Sequence, residues 1–266
     1  MLEHRTEPLR LNIRHLLYPL LVLYATSYAL LLQQSFPPQS QVLLIIKLVV
    51  GAAILCASSF FLLKKSGSKV QFMPHRIDWT MVTYCVVLAL FLLYLFVWFN
   101  LALFPGVYPK TISYYGPFDI VSPLYLPILL AMSVYVLGEE LFFKGVAYQY
   151  FRTRLSFLAS LTAVTGFFAW AHMNPNPLLV VVLVIFSLTT TLLFIVTRTF
   201  LYGFIVHAAL DILAVLLSTR QFHIIMLENY TLKLLVLTIL CLGLTGFLLF
   251  SKRYNTSEKT LSALQE

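Results

Sequence analysis

Eight stretches of this chain run apolar for about 18 to 24 residues, long enough to cross a hydrocarbon core of about 30 Å as helices. They lie near 15–34, 41–63, 79–103, 120–143, 157–173, 178–197, 199–218 and 231–250. Backbone in lipid must satisfy its own hydrogen bonds. So many long runs therefore imply an all-α fold, a polytopic transmembrane helical bundle of about eight spans. Of the 266 residues 60% are hydrophobic and 11% charged, whereas a soluble domain carries about 25% charged residues. Periodicity adds little, because a lipid-facing helix can be apolar all round. The first run is too long for a signal-peptide core and reads as a retained span.

Charge is distributed by loop. Lys and Arg gather in alternate connections: Arg5, Arg10 and Arg14; Lys64, Lys65, Lys69 and Arg76; Lys144, Arg152 and Arg154; Arg198; then Lys252, Arg253 and Lys259. The intervening connections hold only Lys110 and Arg220. By the positive-inside rule both termini are cytoplasmic, which needs an even number of spans. The net charge of +8 is thus a topology signal and not a nucleic-acid footprint. The expected surroundings are a lipid bilayer, read from the short tails and loops as a bacterial cytoplasmic (inner) membrane. Lys47 and Lys233 fall within apolar runs and read as snorkelling side chains. Cys56, Cys85 and Cys241 sit in predicted spans without metal-ligand spacing and read as small core residues.

No repeat, low-complexity segment or soluble domain interrupts the chain, so residues 1–266 read as one membrane domain. Its ionisable residues concentrate in a core at 119–218. The connection FPGVYPKTISYYGPFD, with three prolines and paired tyrosines, suits an interfacial loop over a site. The polar tail after Tyr254 is expected to fray.

Three polar interruptions carry the chemistry. The first is GEELFFKGVAYQYF, residues 138–151. Adjacent helical residues point about 100° apart, so Glu139 and Glu140 address different neighbours. Glu140 and Lys144 are four apart with the acid first, the favourable order for an ion pair. That leaves Glu139 unpaired beside Leu141, Phe142 and Phe143, where desolvation tunes a carboxylate toward general-base work. The competing reading puts both glutamates at the wet cytoplasmic end of the fourth span.

The second is FFAWAHMNPNP, in which His172 closes the fifth run and Pro175 and Pro177 break the helix beyond it. Alone, His172 reads as an interfacial histidine beside Trp170, and Asn174 and Asn176 as turn or cap residues. The third is YGFIVHAALDILAV, where His207 and Asp211 share one helix face with Cβ atoms about 5–6 Å apart. Neither group is cheap in the middle of an apolar helix. A self-satisfied His–Asp pair locking helix packing is the alternative. Thr189, Thr190 and Thr191 read as helix-packing hydroxyls.

Taken together, EExxxK from Glu139 to Lys144, FxxxH from Phe168 to His172 and HxxxD from His207 to Asp211 resemble the CPBP family. These are the CaaX proteases and bacteriocin-processing enzymes, also called Abi, whose motifs EExxxR, FxxxH and HxxxN/D follow in this order on successive helices. The one departure is Lys144, where the family has arginine; lysine keeps the charge but not the bidentate guanidinium contact.

The resemblance implies an intramembrane endopeptidase whose catalytic set is Glu139, Glu140, His172, His207 and Asp211. Its substrate would be a membrane-associated peptide or protein: a prenylated C-terminal motif, a bacteriocin leader or a membrane-protein segment. Two mechanisms accompany it. In one, Glu139 with His172 takes a proton from water while His207 and Asp211 support the oxyanion. In the other, Glu139, His172 and His207 bind zinc, with Asp211 orienting His207. An HExxH motif is absent. A catalytically inactive immunity or scaffold relative and a proton-coupled transporter using the same residues are the rival readings. A straight-helix ruler puts Glu139 near the cytoplasmic end of span four and His172 near the far end of span five. Convergence is therefore expected to need the 144–157 connection to dip into the membrane.

Overall fold

The computed structural model describes residues 12–32, 40–66, 74, 77–103, 125–172, 177–217 and 229–263, and among them the regular elements are all helical. In chain order they are α1 (Arg14–Leu32), α2 (Ser40–Ser66), α3 (Trp79–Leu103), α4 (Tyr125–Glu140), a π-helical segment (Leu141–Ala147) and α5 (Tyr148–Arg152). Then follow α6 (Phe157–Ala171), α7 (Pro177–Thr197), α8 (Phe200–Leu217) and α9 (Tyr230–Ala263). Val42–Lys65, Trp79–Trp98, Leu126–Arg152, Val180–Thr197 and Tyr230–Leu248 are each long and apolar enough to cross a membrane. Arg14–Leu23, Phe157–Ala171 and Phe200–Leu213 are shorter apolar helices. The eight apolar runs thus become eight helical passes. The loop at 104–119, Asn174, Pro175, Asn176 and the basic residues Arg5, Arg10, Lys69 and Arg76 lie outside the described residues.

The fourth pass is the axis of the bundle. Residues 138–148 are buried without a break, and α2 packs along α4 while α8 lies against both α3 and α4. The α2–α4 approach depends on Gly138, where an added Cβ would meet Leu55 Cβ at 3.0 Å and the Ala52 carbonyl at 3.4 Å. Between membrane helices, where hydrophobicity gives no preference for protein over lipid, such small residues permit close backbone packing. On the periphery α9 packs on α3 and leaves Leu232, Leu235, Ile239, Leu242 and Phe247 exposed, as suits a helix against lipid.

Two expectations are corrected. The fourth pass does not end near residue 143. It continues through the π-helical segment to Arg152, so Lys144 is not in a loop but wholly buried within a span. The connection to α6 shrinks to residues 153–156, where the Ser156 hydroxyl accepts from Ala159 N–H and caps the new helix. The basic residues at this turn are therefore Arg152 and Arg154 alone. The tail is also helical through Ala263, because residues 254–263 contain neither proline nor glycine and include Glu258, Lys259, Leu261 and Ala263, all good helix formers.

The longer fourth pass removes the geometric difficulty. At 1.5 Å per residue, Glu139 stands about 20 Å above Arg152, and His172 about 22 Å above the start of α6. Phe200, at the start of α8, packs beside Gly145, so His207, seven residues on, climbs to the same level as Glu139. No connection has to dip.

Candidate active site

Glu139 and Glu140 end α4, immediately before the backbone slackens into the π-helical turn; the Tyr148 N–H donates to Phe143 O, five residues back. π-Bulges occur mostly singly and often at functional sites. Both glutamates are buried, with side chains 8% and 1% exposed. The wet-end reading of the pair is therefore overturned: a full helical pass surrounds them.

Lys144 Nζ donates to Glu140 Oε1 at 3.0 Å, with the lysine side chain 0% exposed. The ion pair read from i,i+4 spacing is present. The ammonium also lies 4.9 Å from the Phe168 ring centroid and 6.0 Å from that of Phe186. Two aromatic faces thus occupy the surroundings of the cation, and such contacts contribute about 2 kcal/mol or more when desolvated. Phe168 belongs to the FxxxH motif; Phe186 was not singled out in the sequence.

His207 enters between the two glutamates. Its Nδ1 is 2.9 Å from Glu140 Oε1, and since a carboxylate at that distance accepts, Nδ1 carries the hydrogen. Its Nε2 then faces Glu139 Oε2 at 3.5 Å and Asp211 Oδ2 at 3.9 Å. The two glutamates do diverge, yet they meet opposite ends of one imidazole. The carboxylate that hydrogen-bonds to His207 is Glu140, while Asp211 stands farther off, across the ring. Asp211, 33% exposed, stands at the edge of the cluster.

His172 forms the C-cap of α6. Its Nδ1 lies 2.8 Å from the Phe168 carbonyl, which can only accept, so the proton is again on Nδ1 and the Nε2 lone pair is free. That Nε2 points at Glu139 Oε1, 3.9 Å away, from a side chain 28% exposed. An isolated interfacial histidine is therefore not what the fold makes of it. Glu139, unpaired in the sequence, has an imidazole on each oxygen.

The cluster is graded. Lys144, Glu140 and the Nδ1 edge of His207 are sealed, whereas His172 and Asp211 reach the accessible side. Gly203, four residues before His207 on the same face of α8, was missed in the sequence. A Cβ there would stand 2.8 Å from Glu140 Oε2. Its signal was available: a small residue at helical spacing from a polar one in an apolar helix. The Thr189 and Thr190 hydroxyls bond to carbonyls of their own helix. The thiols of Cys56, Cys85 and Cys241 are free, and that of Cys56 lies beside Gly138.

A zinc site needs ligand atoms about 2.0–2.2 Å from one ion. Among the described residues no group of three His, Cys, Asp or Glu side chains is placed to hold one. Glu139, His172 and His207 are the residues that would hold an ion, with their facing atoms 3.5 and 3.9 Å apart, and a bound zinc would acidify a water there.

Residues 121–213, which contain all three motifs, match the family model for type II CAAX prenyl endopeptidase Rce1-like proteins. No curated protein and no solved structure matches the chain. The matched segment is similar to that endopeptidase family, in agreement with the CPBP resemblance.

Proposed function

Starting from that Rce1-like domain, we propose that this protein is an intramembrane endopeptidase that hydrolyses a peptide bond of a membrane-associated substrate with a C-terminal CaaX-type motif. The observation that carries the reading is Glu139, buried midway along a membrane span with histidine Nε2 atoms at 3.5 and 3.9 Å on its two oxygens. An isolated carboxylate at that depth would be expensive. Here it has two partners whose remaining ring nitrogens are already committed.

Water held between Glu139 and His172 Nε2 attacks the scissile carbonyl carbon while Glu139 takes its proton. The negative charge developing on the carbonyl oxygen is met by His207, protonated at Nε2 with Glu140 accepting from Nδ1 and stabilising the imidazolium. Collapse of the tetrahedral intermediate breaks the C–N bond, and the proton on Glu139 passes to the leaving amine. Lys144 keeps Glu140 ionised in its sealed position, so replacing the family's arginine with lysine gives no ground for an inactive protein.

The test is cleavage of a farnesylated CaaX peptide by the detergent-purified protein, with and without chelator. Release of the C-terminal tripeptide by wild type, lost in Glu139→Gln, is the expected result. Equal release by Glu139→Gln, or none by wild type, overturns the reading. Activity that chelator removes and zinc restores would replace the metal-free mechanism with the zinc alternative.

A further inference from the structure

We propose that Gly203 is a positioning residue for Glu140: its missing side chain is the space in which the outer carboxylate oxygen sits. Glu140 Oε1 is held at 3.0 Å by Lys144 and at 2.9 Å by His207. Its other oxygen, Oε2, is buried and has no hydrogen-bond partner among the described residues. A polar atom left in that state is costly, so something must fix the carboxylate where it is. Lys144 and His207 do so through Oε1, and Gly203 leaves the space for Oε2, since a Cβ on residue 203 would come within 2.8 Å of it, with the next nearest atoms at 3.7 Å. Only the carboxylate is crowded there.

The carboxylate cannot swing aside freely. Rotating Oε2 away from residue 203 also moves Oε1, which carries both the ion pair and the bond that orients His207. Gly203, His207 and Asp211 recur every four residues on one face of α8, so the same helix that presents the imidazole leaves room for its anchor. An alanine at 203 should thus act through Glu140 on the Nε2 edge of His207, without touching substrate.

The experiment is a double-mutant cycle. Gly203→Ala alone should lower the melting temperature and reduce kcat on the order of 100-fold with KM unchanged, as expected for a displaced catalytic geometry. In a Glu140→Ala/Lys144→Met background, which lacks the carboxylate and its counter-ion, the same change should leave the melting temperature where it is. If that background does not fold, Glu140→Asp replaces it, and the shorter acid should make Gly203→Ala less damaging than in wild type. An equal thermal loss in both backgrounds would assign Gly203 to helix packing alone and overturn the proposal, as would no loss in wild type. Gly243→Ala is the control, because no atom lies within 4 Å of an added Cβ there. The kcat arm rests on the endopeptidase reading and the thermal arm does not, so failure of one is distinguishable from failure of the other.

Discussion

Glu139 and Glu140 are neighbours in the chain and opposites in surroundings. Glu140 sits behind the cluster, 1% exposed, tied to Lys144 and His207, its second oxygen against the α8 backbone. Glu139 sits in front, 8% exposed, facing two imidazole edges at 3.9 and 3.5 Å, longer than direct hydrogen bonds. A buried carboxylate with one oxygen held by both an ammonium and an imidazole N–H is a structural anion. One with loosely held neighbours is the carboxylate to which the proposed mechanism gives the proton transfer. A single helical step of about 100° separates the two roles.

The contrast breaks first at Glu139. Glu139→Gln should cut hydrolysis by about 10²–10⁴-fold, the range for a general base, with an unchanged melting temperature because no sealed ion pair is lost. A large fall in melting temperature would show that Glu139 is structural after all. Glu140→Gln should do the reverse in emphasis. It leaves a buried ammonium unpaired, which costs about 3–5 kcal/mol, and lowers activity less than Glu139→Gln because the amide oxygen still accepts from His207. Thermal denaturation beside initial rates separates the two, and equal stability of both variants would dissolve the distinction.

Lys144 sharpens it further. Lys144→Met removes the cation from the sealed side and should destabilise about as much as Glu140→Gln, since one buried charge again stands alone. Lys144→Arg should stay near wild type in melting temperature and rate, since guanidinium keeps the charge and packs well on the Phe168 and Phe186 rings. A methionine variant as stable and active as wild type would refute the pairing. The smallest effect is expected at Asp211, at the exposed edge and 3.9 Å from His207 Nε2. Asp211→Asn should change the rate by less than about tenfold, because at 3.9 Å its oxygen is beyond hydrogen-bond reach of His207 Nε2. A loss as large as that of Glu139→Gln would move Asp211 to the centre of the chemistry.

Much of this was legible in the sequence because it depends on local spacing. Apolar run length gave the helices, and i,i+4 geometry gave the Glu140–Lys144 pair. At His207 the same spacing found Asp211, which stands 3.9 Å from Nε2 without a hydrogen bond. The side chain instead bonds to Glu140, 67 residues away, because α8 crosses α4 at that level. The end of the fourth pass was misplaced for a related reason. Lys144 looks like a loop charge until its carboxylate and two phenylalanine rings surround it, and hydropathy is blind to charges neutralised by a neighbour.

Sequence alone thus determined that the chain is a helical membrane bundle and which six polar side chains would have to be accommodated inside it. Those follow from the cost of leaving backbone or charge unsatisfied in lipid, a cost that depends on residue type and spacing only. Tertiary structure decided which glutamate is fully sealed, which ring nitrogen of His207 bonds to it, and that residue 203 lies against its second oxygen. Those depend on where α4, α6 and α8 pass one another, and contacts between helices are set by shape and close packing that no periodicity along a single chain encodes.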